Sequence, residues 1–174
     1  MRVAISLAAM LAVVPAQAQR PCLNGAEAEA LATVALPDII RQTGTACAAQ
    51  LPANSLLRRT ASPMLARYDA AADQAWPAAR GAIVKLSDPA ADALLGSQFA
   101  RPLLSSLIAP MIVGRIATKD CGTIDRLVTL LEPLPPRNTA GVIVTTLRYL
   151  QTAKQPAGGR NPIAALPLCA GGGR

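Results

Sequence analysis

Histidine is absent from this 174-residue chain, and aromatic residues nearly so: Tyr68, Trp76, Phe99 and Tyr149 are the full set. Without histidine the commonest general base and metal ligand is missing. Ser-His-Asp and Cys-His catalysis and H-E-x-x-H metal sites are excluded. Few aromatics also means few stacking platforms for nucleic acid, and no nucleic-acid partner is expected. No G-x-x-x-x-G-K-[ST], G-x-G-x-x-G or calcium-loop pattern occurs, so no phosphate cradle and no cofactor is expected. Acidic groups are scarce too, with 10 Asp and Glu against 17 Lys and Arg, a net charge of +7. Hydrophobic residues make up 52%, too many for a disordered chain.

What is present begins with an export signal. Arg2 forms a basic start, residues 3–14 are apolar except Ser6, and Pro15-Ala16-Gln17-Ala18 ends in an A-x-A cleavage pattern. This reads as a secretory signal peptide over residues 1–18. The apolar run is shorter than the ~20 residues a bilayer span needs. Residues 19–170 are then expected to form a single helical domain, with 171–174 a disordered tail. The 36 alanines, and 14 arginines against three lysines, suggest a GC-rich bacterial genome. A periplasmic or secreted location follows from the signal.

Four cysteines, Cys22, Cys47, Cys121 and Cys169, remain after signal removal. An even number in an exported chain reads as two disulfides. No C-x-x-C pair occurs, and with no histidine a structural zinc site is not expected. The favoured pairing is Cys22–Cys47 and Cys121–Cys169, each closing a two-helix hairpin.

Proline and small caps punctuate segments that look helical throughout. Asn24 or Gly25 opens a helix over 26–35, which Leu36-Pro37 breaks. Pro37 starts a second, over 38–43, and Gly44 ends it. Residues 55–75 are helical but interrupted at Pro63. Trp76-Pro77 opens 78–86, and Asp88-Pro89 caps 90–95. Leu103, Leu104, Leu107, Ile108, Met111 and Ile112 mark one helical face, kinked at Pro110 and expected to be the central core helix. A partner-binding surface is the other reading of this stretch. Residues 123–132 repeat the pattern, and Asn138 caps a helix over 139–154. Residues 142–146 are β-branched, but no second strand is available to pair with them. The expectation is an all-α domain of about seven helices in αα-hairpins.

Carboxylates are the remaining chemistry. Asp69 and Asp73 share a helix face, as do Asp88 and Asp92, but solvated faces and caps account for them. Glu132 is the isolated acid of the basic half; it reads first as a surface glutamate or a partner of Arg137, and otherwise as the candidate general acid for cutting cell-wall glycan. Residues 101–174 carry nine basic groups against Asp120, Asp125 and Glu132. Arg101, Arg115, Lys119, Arg126, Arg137, Arg148, Lys154 and Arg160 therefore offer an anionic-surface reading, with Arg126, Arg137 and Arg148 as anionic-ligand contacts. Leu134-Pro135-Pro136-Arg137-Asn138 reads as a stiff connector or an exposed recognition turn. Trp76 reads as core filler or as the anchor of a ligand pocket. The leading expectation is a non-catalytic envelope protein binding an unknown protein partner or ligand. The alternatives are a carboxylate-dependent hydrolase or lyase, and a peripheral binder of anionic membrane or polysaccharide.

Overall fold

The computed structural model describes residues 21–152 and 166–169. The expected signal segment 1–18, the tail 171–174, Lys154 and Arg160 lie outside the described residues. Within them are six α-helices: α1 (Gly25–Ala46), α2 (Pro63–Leu86), α3 (Ala91–Leu95), α4 (Ala100–Val113), α5 (Cys121–Leu131) and α6 (Pro136–Thr152). Two 3-10 turns, Leu56–Arg58 and Thr118–Asp120, precede α2 and α5. Extended pairing among the described residues is limited to one parallel bridge, Leu23 with Leu168. Residues 142–146 lie inside α6. The all-α expectation holds, with six helices instead of about seven.

The shortfall has a physical cause. Pro37 and Pro77 do not end helices; each lies inside one. An internal proline removes a donor and crowds the carbonyl four residues back, costing about 3 kcal/mol. Around Pro37, however, Val34, Leu36 and Ile40 are all buried. Burying a single Leu or Ile side chain contributes about 1.5–3 kcal/mol. Packing of α1 across the proline therefore outweighs the break. Around Pro77 the buried residues Ala72, Ala79 and Ala82 keep α2 closely packed.

The caps are conventional. The Asn24 side chain accepts the Glu27 N–H at 2.9 Å, and the Glu27 carboxylate accepts the Asn24 N–H at 2.8 Å. This reciprocal pair satisfies two donors at the start of α1. Ser62, followed by Pro63 at the first helical position, opens α2. Pro136, not Asn138, opens α6. Gly44 is not a helix stop either, since α1 runs on to Ala46. A Cβ at position 44 would overlap the Leu57 carbonyl oxygen. The glycine lets the backbone of the first 3-10 turn lie directly against α1.

The central helix is α1, which packs on α2, α4 and α6. This corrects the expectation that residues 103–112 would be the core. Alanine-rich α1 permits close approach from several sides, whereas most of the long side chains of α4 point outward. The main core joins Leu36 and Ile40 of α1 to Leu51, Leu56, Leu57, Met64, Leu65, Tyr68 and Ala140. Tyr68 is buried and donates to Thr139 Oγ1 at 2.9 Å, tying α2 to α6.

The disulfides are Cys22–Cys169 and Cys47–Cys121, with Cα atoms 4.9 and 5.6 Å apart. The expected hairpin closures Cys22–Cys47 and Cys121–Cys169 are not formed. Cys22 lies just before α1 and Cys47 caps its far end. An unbroken helix of 22 residues holds its ends about 33 Å apart, far beyond the ~7 Å limit for a bridge. Instead Cys47 ties the end of α1 to the start of α5, and Cys22 ties the entry of α1 to the returning segment at Leu168. Two disulfides are consistent with an oxidising extracellular or periplasmic setting.

Candidate functional site

Two surfaces deserve functional scrutiny, and both involve α4. Helix α4 is apolar nearly all round, a pattern that normally marks a buried helix. Its sides meet different surroundings. Leu104, Ile108 and Ala109 face α1 and α2 across a small apolar cavity of about 40 Å³, bordered by Leu31, Val34 and Trp76. Arg101, Ser105 and Ser106 line a polar cleft. Phe99, Leu103, Leu107 and Met111 recur every fourth residue, which places them in one row along the helix. That row points away from the protein, with 70, 61, 59 and 68% of each residue exposed. Leu94 before it is exposed too, as are Leu127 and Leu130 on α5.

Short length keeps this surface from being a bilayer span. No single helix among the described residues is long and apolar enough to cross a membrane. Only the pair of α4 with the segment Thr118–Leu131 passes on composition, and that pair is bent by 94°. At 14 residues, α4 is about 21 Å long, against a hydrocarbon core of about 30 Å.

Most of the exposed cations of α4, α5 and the corner between them make no ion pair among the described residues. From residue 93 to residue 119 there is no Asp or Glu, only Arg101, Arg115 and Lys119. Arg101 is paired with Asp73. Arg115 and Lys119, at the corner between α4 and α5, and Arg126 on α5 are exposed and make no ion pair among the described residues. Asp120 is the exposed acid at this corner. Asp125 is engaged elsewhere, accepting from the Ser55 hydroxyl at 2.6 Å and the Leu57 N–H at 3.3 Å.

The polar cleft has a volume of about 620 Å³ and lies between α1, α2 and the start of α4. Asp38, Gln42, Asp73, Trp76, Gln98 and Arg101 line it. Trp76 is half-buried and borders both the cleft and the small apolar cavity behind it. It is thus core filler on one side and pocket wall on the other. The carboxylates here are held by guanidinium groups. Arg41 pairs with Asp38 and Asp69, and Arg101 with Asp73. The hydrogen bond to Asp69 raises the Arg41 pKa further, against an opposing effect of burial. Carboxylates occupied by arginine are poorly placed to protonate a leaving group.

The other predicted residues are scattered. Glu132 caps the end of α5, where its backbone carbonyl accepts from Arg67 at 2.8 Å. It is half-buried and does not line the cleft. Asp88 accepts from the Ala90 N–H, and Asp92 pairs with Arg80. Arg137 sits exposed near the start of α6 and borders a groove of about 330 Å³ with Glu29 and Gln74. Arg148 lies 11 residues further along α6, about 16 Å away along the axis. Its guanidinium packs against Gly25, and its Nε is buried without a hydrogen-bond partner among the described residues. Arg126, Arg137 and Arg148 therefore do not form one pocket. Among the described residues no three Cys, Asp or Glu side chains converge as a metal site.

Compared with known proteins, the chain matches no protein-family model, no curated protein and no solved structure. The sequence reading placed a partner-binding surface second to a core helix for α4, because periodicity identifies an apolar face without saying what it meets. The acid-free run 93–119 was the available signal.

Proposed function

We propose that this is an exported, non-catalytic protein of the bacterial cell envelope that works by docking, with the outward row of α4 as its docking face. The observation that carries the reading is the exposure of Phe99, Leu103, Leu107 and Met111 in one line. Exposed apolar patches of this kind, rimmed by polar groups, mark interaction sites. The signal-like start and the two disulfides support residence in the periplasm or outside the cell. A carboxylate hydrolase is less well supported, since Glu132 is away from the polar cleft and the cleft aspartates are ion-paired.

Cell fractionation tests this reading. The wild-type protein, expressed with its own leader, should sediment with the envelope. The variant Leu107→Glu with Met111→Glu should move to the soluble fraction while keeping both disulfides and its helical circular dichroism. A wild-type protein found entirely in the soluble fraction overturns the docking role. So does a double variant that sediments like wild type.

A further inference from the structure

Resting on that docking role, we infer that the surface α4 meets is an anionic lipid bilayer. Three observations converge on it. The row Phe99, Leu103, Leu107 and Met111 is made of long aliphatic chains and one phenylalanine, the composition of a helix that lies in a membrane interface. Energetic hot spots of protein interfaces are instead enriched in Trp, Tyr and Arg, with Leu under-represented; the row holds two leucines and none of those three. The α4–α5 pair is short and bent by 94°, so it suits lying on a bilayer and not crossing it.

The third observation is charge. Arg115 and Lys119, in the corner that follows the row, are exposed and make no ion pair among the described residues, with Asp120 as the exposed acid there; Arg126 on α5 is likewise exposed without an ion pair among them. Arg126 lies beside Leu127 and one turn before Leu130, so α5 presents cation and aliphatic together. Leucines entering the headgroup zone would bring the corner cations Arg115 and Lys119, which follow the row in the chain, toward the lipid phosphates. Cations near an anionic leaflet each strengthen binding by about fivefold. A second copy of the chain would offer this face the same excess of cations.

Vesicle sedimentation with the purified, oxidised protein tests the assignment. Vesicles of phosphatidylcholine alone are compared with vesicles containing phosphatidylglycerol, at low and high salt. Binding should favour the phosphatidylglycerol vesicles by tenfold or more and weaken at high salt. Leu107→Glu with Met111→Glu should abolish binding. Arg115→Gln with Lys119→Gln should leave residual binding but remove most of the anionic preference. Equal, salt-insensitive binding to both vesicles overturns the anionic specificity. No vesicle binding, alongside envelope sedimentation that still depends on Leu107 and Met111, overturns the lipid assignment and leaves a protein partner as the docking target. Concentration-dependent self-association lost in Leu107→Glu assigns the row to a second copy and also overturns it. Loss of both vesicle binding and envelope sedimentation removes the docking role itself.

Discussion

Two leucine-bearing stretches of this chain, residues 51–65 and 103–112, end in opposite environments. Leu51, Leu56, Leu57 and Leu65 are buried, although Arg58 and Arg59 interrupt them and the segment before Pro63 is irregular apart from the 3-10 turn Leu56–Arg58. Leu103, Leu107 and Met111 are exposed, although they belong to a regular and far more apolar helix. Local hydropathy therefore does not decide burial here. Attachment does. The first stretch is fastened by Cys47–Cys121, by Asp125 reaching Ser55 and Leu57, and by Arg58 donating to the Leu51 carbonyl. Helix α4 has one side packed on α1, and its outer row stays exposed among the described residues.

The sharpest way to break this contrast is to remove the fastening. Replacing Cys47 and Cys121 together by alanine opens a link across 74 residues. Loss of a native disulfide from a small exported domain costs about 2–5 kcal/mol. Urea unfolding should show that loss, and hydrogen exchange should rise first around Leu56 and Leu57. Unchanged stability would mean that side-chain packing alone holds the 51–65 stretch.

Gly44→Ala attacks the same seam without touching a bond. Its new methyl group would overlap the Leu57 carbonyl oxygen and lie 2.9 Å from the carbonyl carbon. Overpacking of this kind costs about 1–3 kcal/mol. Gly81→Ala is the control, because a Cβ there meets nothing within 4 Å. In a helix interior that change should stabilise by about 1 kcal/mol. Thermal melts of the pair should therefore shift in opposite directions.

Tyr68→Phe tests whether the buried side also depends on a polar tie. The substitution keeps the ring but removes the donor to Thr139. An expected loss of about 1 kcal/mol follows from leaving the buried threonine oxygen without that bond. The double change with Thr139→Val should cost less than the two single changes combined.

A weaker tie is electrostatic, at the entry of α1. Lys85, followed by the Asn24 N–H, lowers the Glu27 pKa below the ordinary 4.5. A folded pKa below the unfolded one stabilises above the unfolded value, and the contribution disappears as pH falls through the folded value. Glu27→Gln should flatten the acid limb of the stability curve below about pH 4.5. An acid limb unchanged by this substitution would remove Glu27 from the account.

Much of the helical map was legible from local chemistry. Asn24 as a cap, and the limits of α3 and α5 to within two residues, follow from side chains acting within one turn. Asp88 does not cap α3 as expected: it accepts from the Ala90 N–H in the turn before the helix, whose N-cap is Ala90. Pro37 and Pro77 misled because their cost is local while the compensation comes from partners far along the chain. Cysteine pairing failed with them, since the hairpin closures required α1 to be broken at Pro37. The apolar face of α4 was visible, but its outward direction depends on α1 having taken the centre. The Arg41–Asp69 and Arg101–Asp73 pairs each span 28 residues, beyond anything a helical period reveals.

The smallest expected effect is the one that separates the two leucine stretches most cleanly. Leu57→Ala, at a fully buried site, should cost about 2–5 kcal/mol through lost burial and the cavity left behind. Leu107→Ala, with 59% of the residue exposed, should stay within about 0.5 kcal/mol in the isolated protein. Both changes remove the same atoms from the same residue type, so the difference reports environment alone. If Leu107→Ala also costs several kcal/mol in the absence of any partner, the α4 row is buried in solution and cannot be a docking face. If its cost appears only when vesicles are present, the energy of that leucine belongs to the surface it meets and not to the fold.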